Sequence, residues 1–212
     1  MIELRGKAVA DAHKAILQEK VAAVGDSVIT MAVLLVGEDH GAHMYATFME
    51  KTAKNFGYGF VLKQLPETAT QDEVVTALQE LNNDAAVHGI LPLMPMPKHI
   101  DTEALIDMLD PKKDIDGLTT YNIGLVTAGK GGFAPCTAKA CMAILNHYDI
   151  PVEGKHVVVI GRSQVIGKPV ALMTLGAHGT VTMCHSRTSD LVEQVKPCLL
   201  YTSLMARGRR VD

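Results

Sequence analysis

Eight residues, Thr30-Met-Ala-Val-Leu-Leu-Val-Gly37, constrain the fold more than any other stretch of the chain. The run is aliphatic and β-branched, shows no polar alternation and ends in glycine. That pattern fits a strand covered on both faces, as in a parallel sheet with helices above and below. Its flanks agree. Val9, Ile16, Leu17 and Val21 recur at helical spacing between Lys7 and Val24, and Gly41 to Asn55 reads as a second helix. Thr70-Gln-Asp-Glu73 is a capping box ahead of Val74, Val75, Leu78 and Leu81. With Gly59 to Leu65 and Val87 to Leu93 as further strands, the expectation is βαβαβ up to about residue 94, where Pro95 and Pro97 stop the third strand.

A short helix over Asp101 to Leu109 precedes a loop dense in charge and turn residues, Pro111-Lys-Lys-Asp-Ile-Asp-Gly-Leu-Thr-Thr120. A second, separate unit then begins. Helix Thr137 to Tyr148 leads to strand Val157 to Ile160, a glycine-bearing turn, helix Gly167 to Leu175 and strand Thr180 to Cys184. The predicted fold class is α/β, two domains joined through the 110 to 137 region. The net charge of -3, from 20 basic and 23 acidic residues, disfavours a nucleic-acid binder that works by phosphate neutralisation. The longest apolar runs, such as Met31 to Val36, fall far short of a membrane span. The opening MIELRGKAVADAHK carries charges where a signal peptide has its apolar segment, so a cytoplasmic protein is expected. Cys136, Cys141, Cys184 and Cys198 form no CxxC pair and no metal spacing, and read as thiols in a reducing compartment.

One turn carries a chemical signal. Gly161-Arg-Ser-Gln-Val-Ile-Gly167-Lys-Pro169 follows a strand and opens a helix, so its backbone N–H groups converge on the place where an anion would sit. Ser163 adds a hydroxyl and Arg162 a charge-assisted donor. The spacing departs from G-x-G-x-x-G, and glycines needed only for close helix–strand packing are the competing explanation. At the end of the next strand, Cys184-His-Ser-Arg187 has no acidic residue before Asp190 to take a ribose 2′-hydroxyl. Arg187 there suits the 2′-phosphate of NADP, which favours NADP over NAD; a solvated surface charge is the alternative.

Several motifs together resemble the bifunctional methylenetetrahydrofolate dehydrogenase/cyclohydrolase family. They are the Tyr45 helix followed by Gly57, Val87-His-Gly-Ile-Leu91 with Pro95-Met-Pro97, Lys113-Asp-Ile-Asp-Gly117, Pro135-Cys-Thr137, Val159-Ile-Gly-Arg-Ser163 with Gly167-Lys-Pro169, and Thr180-Val-Thr-Met-Cys-His-Ser186. Their order and separation agree to about Lys196. The resemblance implies an N-terminal α/β/α folate-binding domain over 1–117 and an incomplete Rossmann-like NADP domain over 118–196. It implies a tetrahydrofolate derivative as substrate and a homodimer joined through the cofactor domain. In the family, hydride passes from 5,10-methylenetetrahydrofolate to NADP, and water then opens the methenyl bridge to give 10-formyltetrahydrofolate. Tyr45 would line the folate pocket with Met49, Pro92, Leu93 and Met94, and Asp116 would bind the polar edge of the pterin. Gly161, Arg162, Ser163 and Ser186 would hold the cofactor phosphates, with Arg187 beside them.

Three departures matter. The family's catalytic Lys lies one helical turn after the Tyr, where this chain has Met49; Lys51 is about 200° further around the helix and is not assigned the role. The family's Gln, two residues beyond Gly-Ile-Leu, is replaced by Leu93. The cyclohydrolase step is therefore expected to be weak, with a folate- and NADP-binding protein without turnover as the alternative. The segment 197–212 matches none of the family's closing motifs and reads as the tail of a truncated or frame-shifted product.

Overall fold

The structure, a computed structural model, describes residues 3–25 and 28–196. The tail segment and Cys198 lie outside the described residues. The chain divides into two compact units: one is Ala10–Asn122, and the other takes the described residues up to Val9 with those from Ile123 onward.

In the first unit, β1 (Thr30–Val36) is the middle strand of a parallel sheet, with β2 (Gly59–Leu65) on one side and β3 (Gly89–Pro92) on the other. Ala32 to Val36 are all buried, and the reason is visible in where alternate residues go. Ala32, Leu34 and Val36 pack against Val74, Ala77, Leu78 and Leu81 of α3 (Gln71–Asn83). Val33 and Leu35 point the other way, onto Ala42 and Ala46 of α2 (His40–Phe56). A strand with a helix on each face cannot carry polar residues on either, which is why its sequence shows no alternation. β2, at the edge, is only partly covered and leaves Val61 and Leu62 exposed.

The helix ends follow local chemistry. The Asp39 carboxylate accepts from Ala42 N at 2.8 Å to start α2, and Gly57 at φ 76° ends it. Both bonds of the Thr70–Glu73 capping box are present. β3 is shorter than the run Val87–Leu93 suggests, yet Leu93 N still donates to Leu34 O at 2.9 Å, so the residue stays tied to β1. α1 (Gly6–Ala23) forms as its periodicity predicts, but of its apolar positions Val9 alone is buried and Ile16 is exposed. α4 (Thr102–Asp107) starts at Asp101, and α5 (Thr120–Thr127) forms within the stretch read as an interdomain connection.

In the second unit, α6 (Cys136–His147) precedes β4 (His156–Ile160), α7 (Gly167–Gly176), β5 (Thr180–Cys184) and α8 (Leu191–Val195). β4 and β5 are parallel neighbours in register from His156↔Thr180 to Ile160↔Cys184. Met142, Leu145 and Val152 form its buried cluster, with Ile150, Met173 and Ala177 packed against it. The Tyr148 hydroxyl accepts from Arg5 N at 3.1 Å and donates to Arg5 O at 3.0 Å, which holds the first described residues to this unit. Among the described residues no helix is long and apolar enough to cross a membrane.

Candidate functional site

On α2, Ala42, Ala46 and Ala53 form the buried row, and Met49 falls in the same row at the helical repeat. Tyr45 stands on the flank of that row, 44% exposed, with its ring stacked near Phe48 at a centroid distance of 6.5 Å. Met49 and Leu93 meet in one apolar cluster with Val33, Leu35, Ala46 and Leu91. These two positions thus belong to one apolar cluster, Leu93 as a buried member and Met49 partly buried and packed against it. Pro92 closes β3 and is buried, whereas Met94 is exposed and its peptide bond to Pro95 is cis.

Asp116, half-buried, is carried by the loop after α4. The loop turns back on itself through Gly117 N, which donates to Asp114 O at 3.3 Å, with Gly117 at φ 62°. Asp114 is fully buried, and its carboxylate accepts from Leu118 N, Thr119 N, Thr119 Oγ1 and Asn122 Nδ2. Asp114, Thr119 and Asn122 have no role in the family motifs as the sequence presents them. The available signal was an Asp placed a few residues ahead of a Thr that caps a helix: Thr119 Oγ1 accepts from Asn122 N at 3.2 Å as α5 begins.

The other group of residues sits at the C-terminal ends of β4 and β5, the usual ligand-bearing edge of a parallel sheet. Gly161 N donates to Cys184 O at 2.7 Å, which joins the turn after β4 to the end of β5 and brings Gly161, Arg162 and Ser163 to the same sheet edge as Ser186 and Arg187. Gly161 has φ 126°, a backbone conformation that favours glycine. A Cβ on Gly167 would lie 2.1 Å from Gly161 O and 2.9 Å from Arg162 N. Close packing is therefore one of the jobs of these glycines, and it is what brings the α7 N-terminus against the turn. The Ser163 Oγ accepts from Ile166 N at 3.1 Å and Gly167 N at 3.3 Å, capping α7 while keeping its own proton to donate. Among the described residues, the backbone N–H groups of Arg162, Ser163, Gln164 and Val165 have no acceptor within the chain. Arg162, Ser163, Ser186 and Arg187 are exposed. Such a cradle, with two guanidinium groups in the same loops, fits a phosphorylated ligand.

The catalytic-domain model of the tetrahydrofolate dehydrogenase/cyclohydrolase family matches residues 4–116, and the NAD(P)-binding domain model of the same family matches 135–201. The chain belongs to the tetrahydrofolate dehydrogenase/cyclohydrolase family. A relative in that family, the bifunctional protein FolD of Halalkalibacterium halodurans, is 37% identical over 99% of this chain and 76% of its own length. The bifunctional FolD enzyme of Campylobacter jejuni superposes with a TM-score of 0.88 at 35% identity, covering 92% of this chain and 70% of that one. The FolD of Trypanosoma brucei, solved with NADP cofactor and an inhibitor, gives a TM-score of 0.86 at 31% identity over 91% of this chain and 68% of that one. The mixed α/β fold with parallel sheets is that of the tetrahydrofolate dehydrogenase/cyclohydrolase family.

Proposed function

We propose that the chain carries the NADP-dependent oxidation of 5,10-methylenetetrahydrofolate to 5,10-methenyltetrahydrofolate, with the following hydrolysis to 10-formyltetrahydrofolate impaired. The observation that carries this reading is the joint placement of Met49 and Leu93 in one apolar cluster, at the positions where the family pattern has Lys and Gln. Neither thioether nor isobutyl group can move a proton or orient water. Positioned acid–base groups contribute about 10² to 10⁴-fold in rate, roughly 3 to 5 kcal/mol of barrier. Their loss falls on water activation, because hydride transfer depends mainly on holding the two reactants in register.

The remaining residues supply that register. The exposed Tyr45 ring offers a face for the ligand to stack on, Pro92 and Met94 border it, and the Asp116 carboxylate accepts from the N–H groups of the pterin edge. The free N–H groups of the turn after β4, with Arg162, Ser163, Ser186 and Arg187, hold the phosphates of the cofactor, and bound NADP supplies the hydride acceptor. A homodimer joined through the cofactor domain and a cytoplasmic setting belong to the same proposal, by family resemblance. A protein that binds folate and NADP without turnover is the second reading, favoured by the same apolar pair. NADPH absorbance recorded with methylenetetrahydrofolate separates them, and a parallel assay follows methenyltetrahydrofolate hydrolysis. Dehydrogenation with slow hydrolysis is the expected result. Hydrolysis at the rate of an ordinary family member would sink the proposal, and tight binding with no NADPH signal would favour the second reading.

A further inference from the structure

We propose that Asp114 is a positioning residue: its buried carboxylate fixes the turn that presents Asp116, and so sets the affinity of the pocket for the pterin edge of the folate. The proposal rests on the folate reading above. Asp114 is 0% exposed, and among the described residues no cation pairs with it. The nearby Lys113 is occupied elsewhere, its Nζ donating to Leu81 O, Asn82 O and Asp84 O at the end of α3. A buried carboxylate without a counter-ion is costly unless donors surround it. Here Oδ1 accepts from Leu118 N at 3.0 Å, and Oδ2 accepts from Thr119 N at 2.9 Å, Thr119 Oγ1 at 2.8 Å and Asn122 Nδ2 at 2.8 Å.

These bonds close a ring around Asp116. Asp114 lies two residues before it, the groups held by Asp114 begin two residues after it, and Gly117 N returns to Asp114 O. The near side of the ring is fastened to the sheet: Ile90 N donates to Lys113 O at 2.7 Å, and Ile90 bridges Asp114 two residues ahead of Pro92. One carboxylate therefore ties the Asp116 turn to the strand end that borders the same pocket.

Asparagine cannot replace it. An amide has one acceptor oxygen, so its NH2 must face either the Leu118 N–H or the Thr119 and Asn122 donors. The loss of a bond to a buried charged acceptor then loosens the turn. Tetrahydrofolate binding by calorimetry is expected to weaken at least about tenfold in Asp114→Asn and in the same direction in Thr119→Val, with NADP affinity within about twofold of the parent. Thr119→Ser, which keeps the hydroxyl, should bind like the parent. In turnover, KM for the folate should rise while kcat stays within about threefold, since uniform binding is what is lost. Amide exchange across 115–118 should quicken in Asp114→Asn. Parent-like tetrahydrofolate affinity in folded Asp114→Asn and Thr119→Val proteins overturns the proposal while leaving the folate reading intact. If Asp114→Asn does not fold, Thr119→Val decides alone. A parent protein that binds no tetrahydrofolate removes the folate reading, and the positioning role falls with it.

Discussion

A lysine at position 49 would set its stem against the cluster of Val33, Leu35, Ala46 and Leu93, whose apolar side chains offer its ammonium no acceptor. The converse change alone, Leu93→Gln, would bury an amide in a cluster of apolar side chains that offers it no strong hydrogen-bond partner. Restoring one member alone should therefore do little. Met49→Lys with Leu93→Gln is expected to raise methenyltetrahydrofolate hydrolysis by about 10²-fold, and each single change by less than about tenfold, a non-additivity that a double-mutant cycle reads directly. Additive gains would show that the two side chains do not act on one another. The identities at these positions were legible because helix register and motif spacing are local properties of a sequence. Their shared cluster was legible only by analogy, since it needs β1 and β3 side by side. Asp114 carried only a weak signal, its place ahead of the capping Thr119: in a run containing two Lys and two Asp residues between 112 and 116, charge alone does not separate it from its neighbours, and burial does.

At the scale of elements, the capping box and the α7 turn both make claims that can be measured. The Glu73 carboxyl is held below its ordinary range, first by the Thr70 backbone N–H and then by the Thr70 hydroxyl. A depressed folded-state pKa contributes stability above the unfolded-state value and loses it as pH falls through the folded one. The stability gap between the parent and Glu73→Ala should therefore be widest near neutral pH and narrow in acid, below the usual glutamate range. Denaturant titrations at about pH 7 and about pH 3 test this, and an unchanged gap contradicts it. In the turn after β4, Gly167→Ala would force a methyl into the Gly161 carbonyl, and backbone cannot swing aside as a side chain can. The change is expected to weaken NADP binding at least about tenfold and to lower the melting temperature; parent-like NADP affinity would separate the glycine from the cradle. Most elements were legible because they carry strong local signals: the unbroken apolar run of β1, the box before α3, and the aliphatic run of β4. α5 was not. Gly124 and the β-branched Ile123, Val126 and Thr127 are poor helix formers, and the helix is begun by bonds that Thr120 N and Asn122 N donate to Asp107 and Thr119, which propensity does not register.

The whole molecule has separate centres of burial. Leu34, Leu78, Ile90 and Leu105 belong to a core wholly within Ala10–Asn122, whereas Met142, Leu145 and Val152 pack among residues beyond Ile123. Sequence pattern places the junction between two α/β domains in the 110 to 137 region, and the compact units divide at Asn122. It has no means of assigning the first residues to the later unit, where Arg5 bonds to Tyr148, 143 residues away. Separate cores, each bearing its own candidate ligand residues, lead to a distinct thermal behaviour. A ligand that binds only the folded form stabilises it by about 2.7 kcal/mol at a hundredfold excess over Kd. For a unit of roughly 100 residues that is on the order of 10 °C or more in melting temperature. NADP should raise the melting of the unit that holds β4 and β5, and tetrahydrofolate the melting of the unit that holds β1 to β3. Amide exchange with each ligand assigns the protected amides to residues after Ile123 or before Asn122. If both ligands instead protect both cores alike, the molecule unfolds as one cooperative body, and the division between a folate half and a cofactor half has no thermodynamic counterpart.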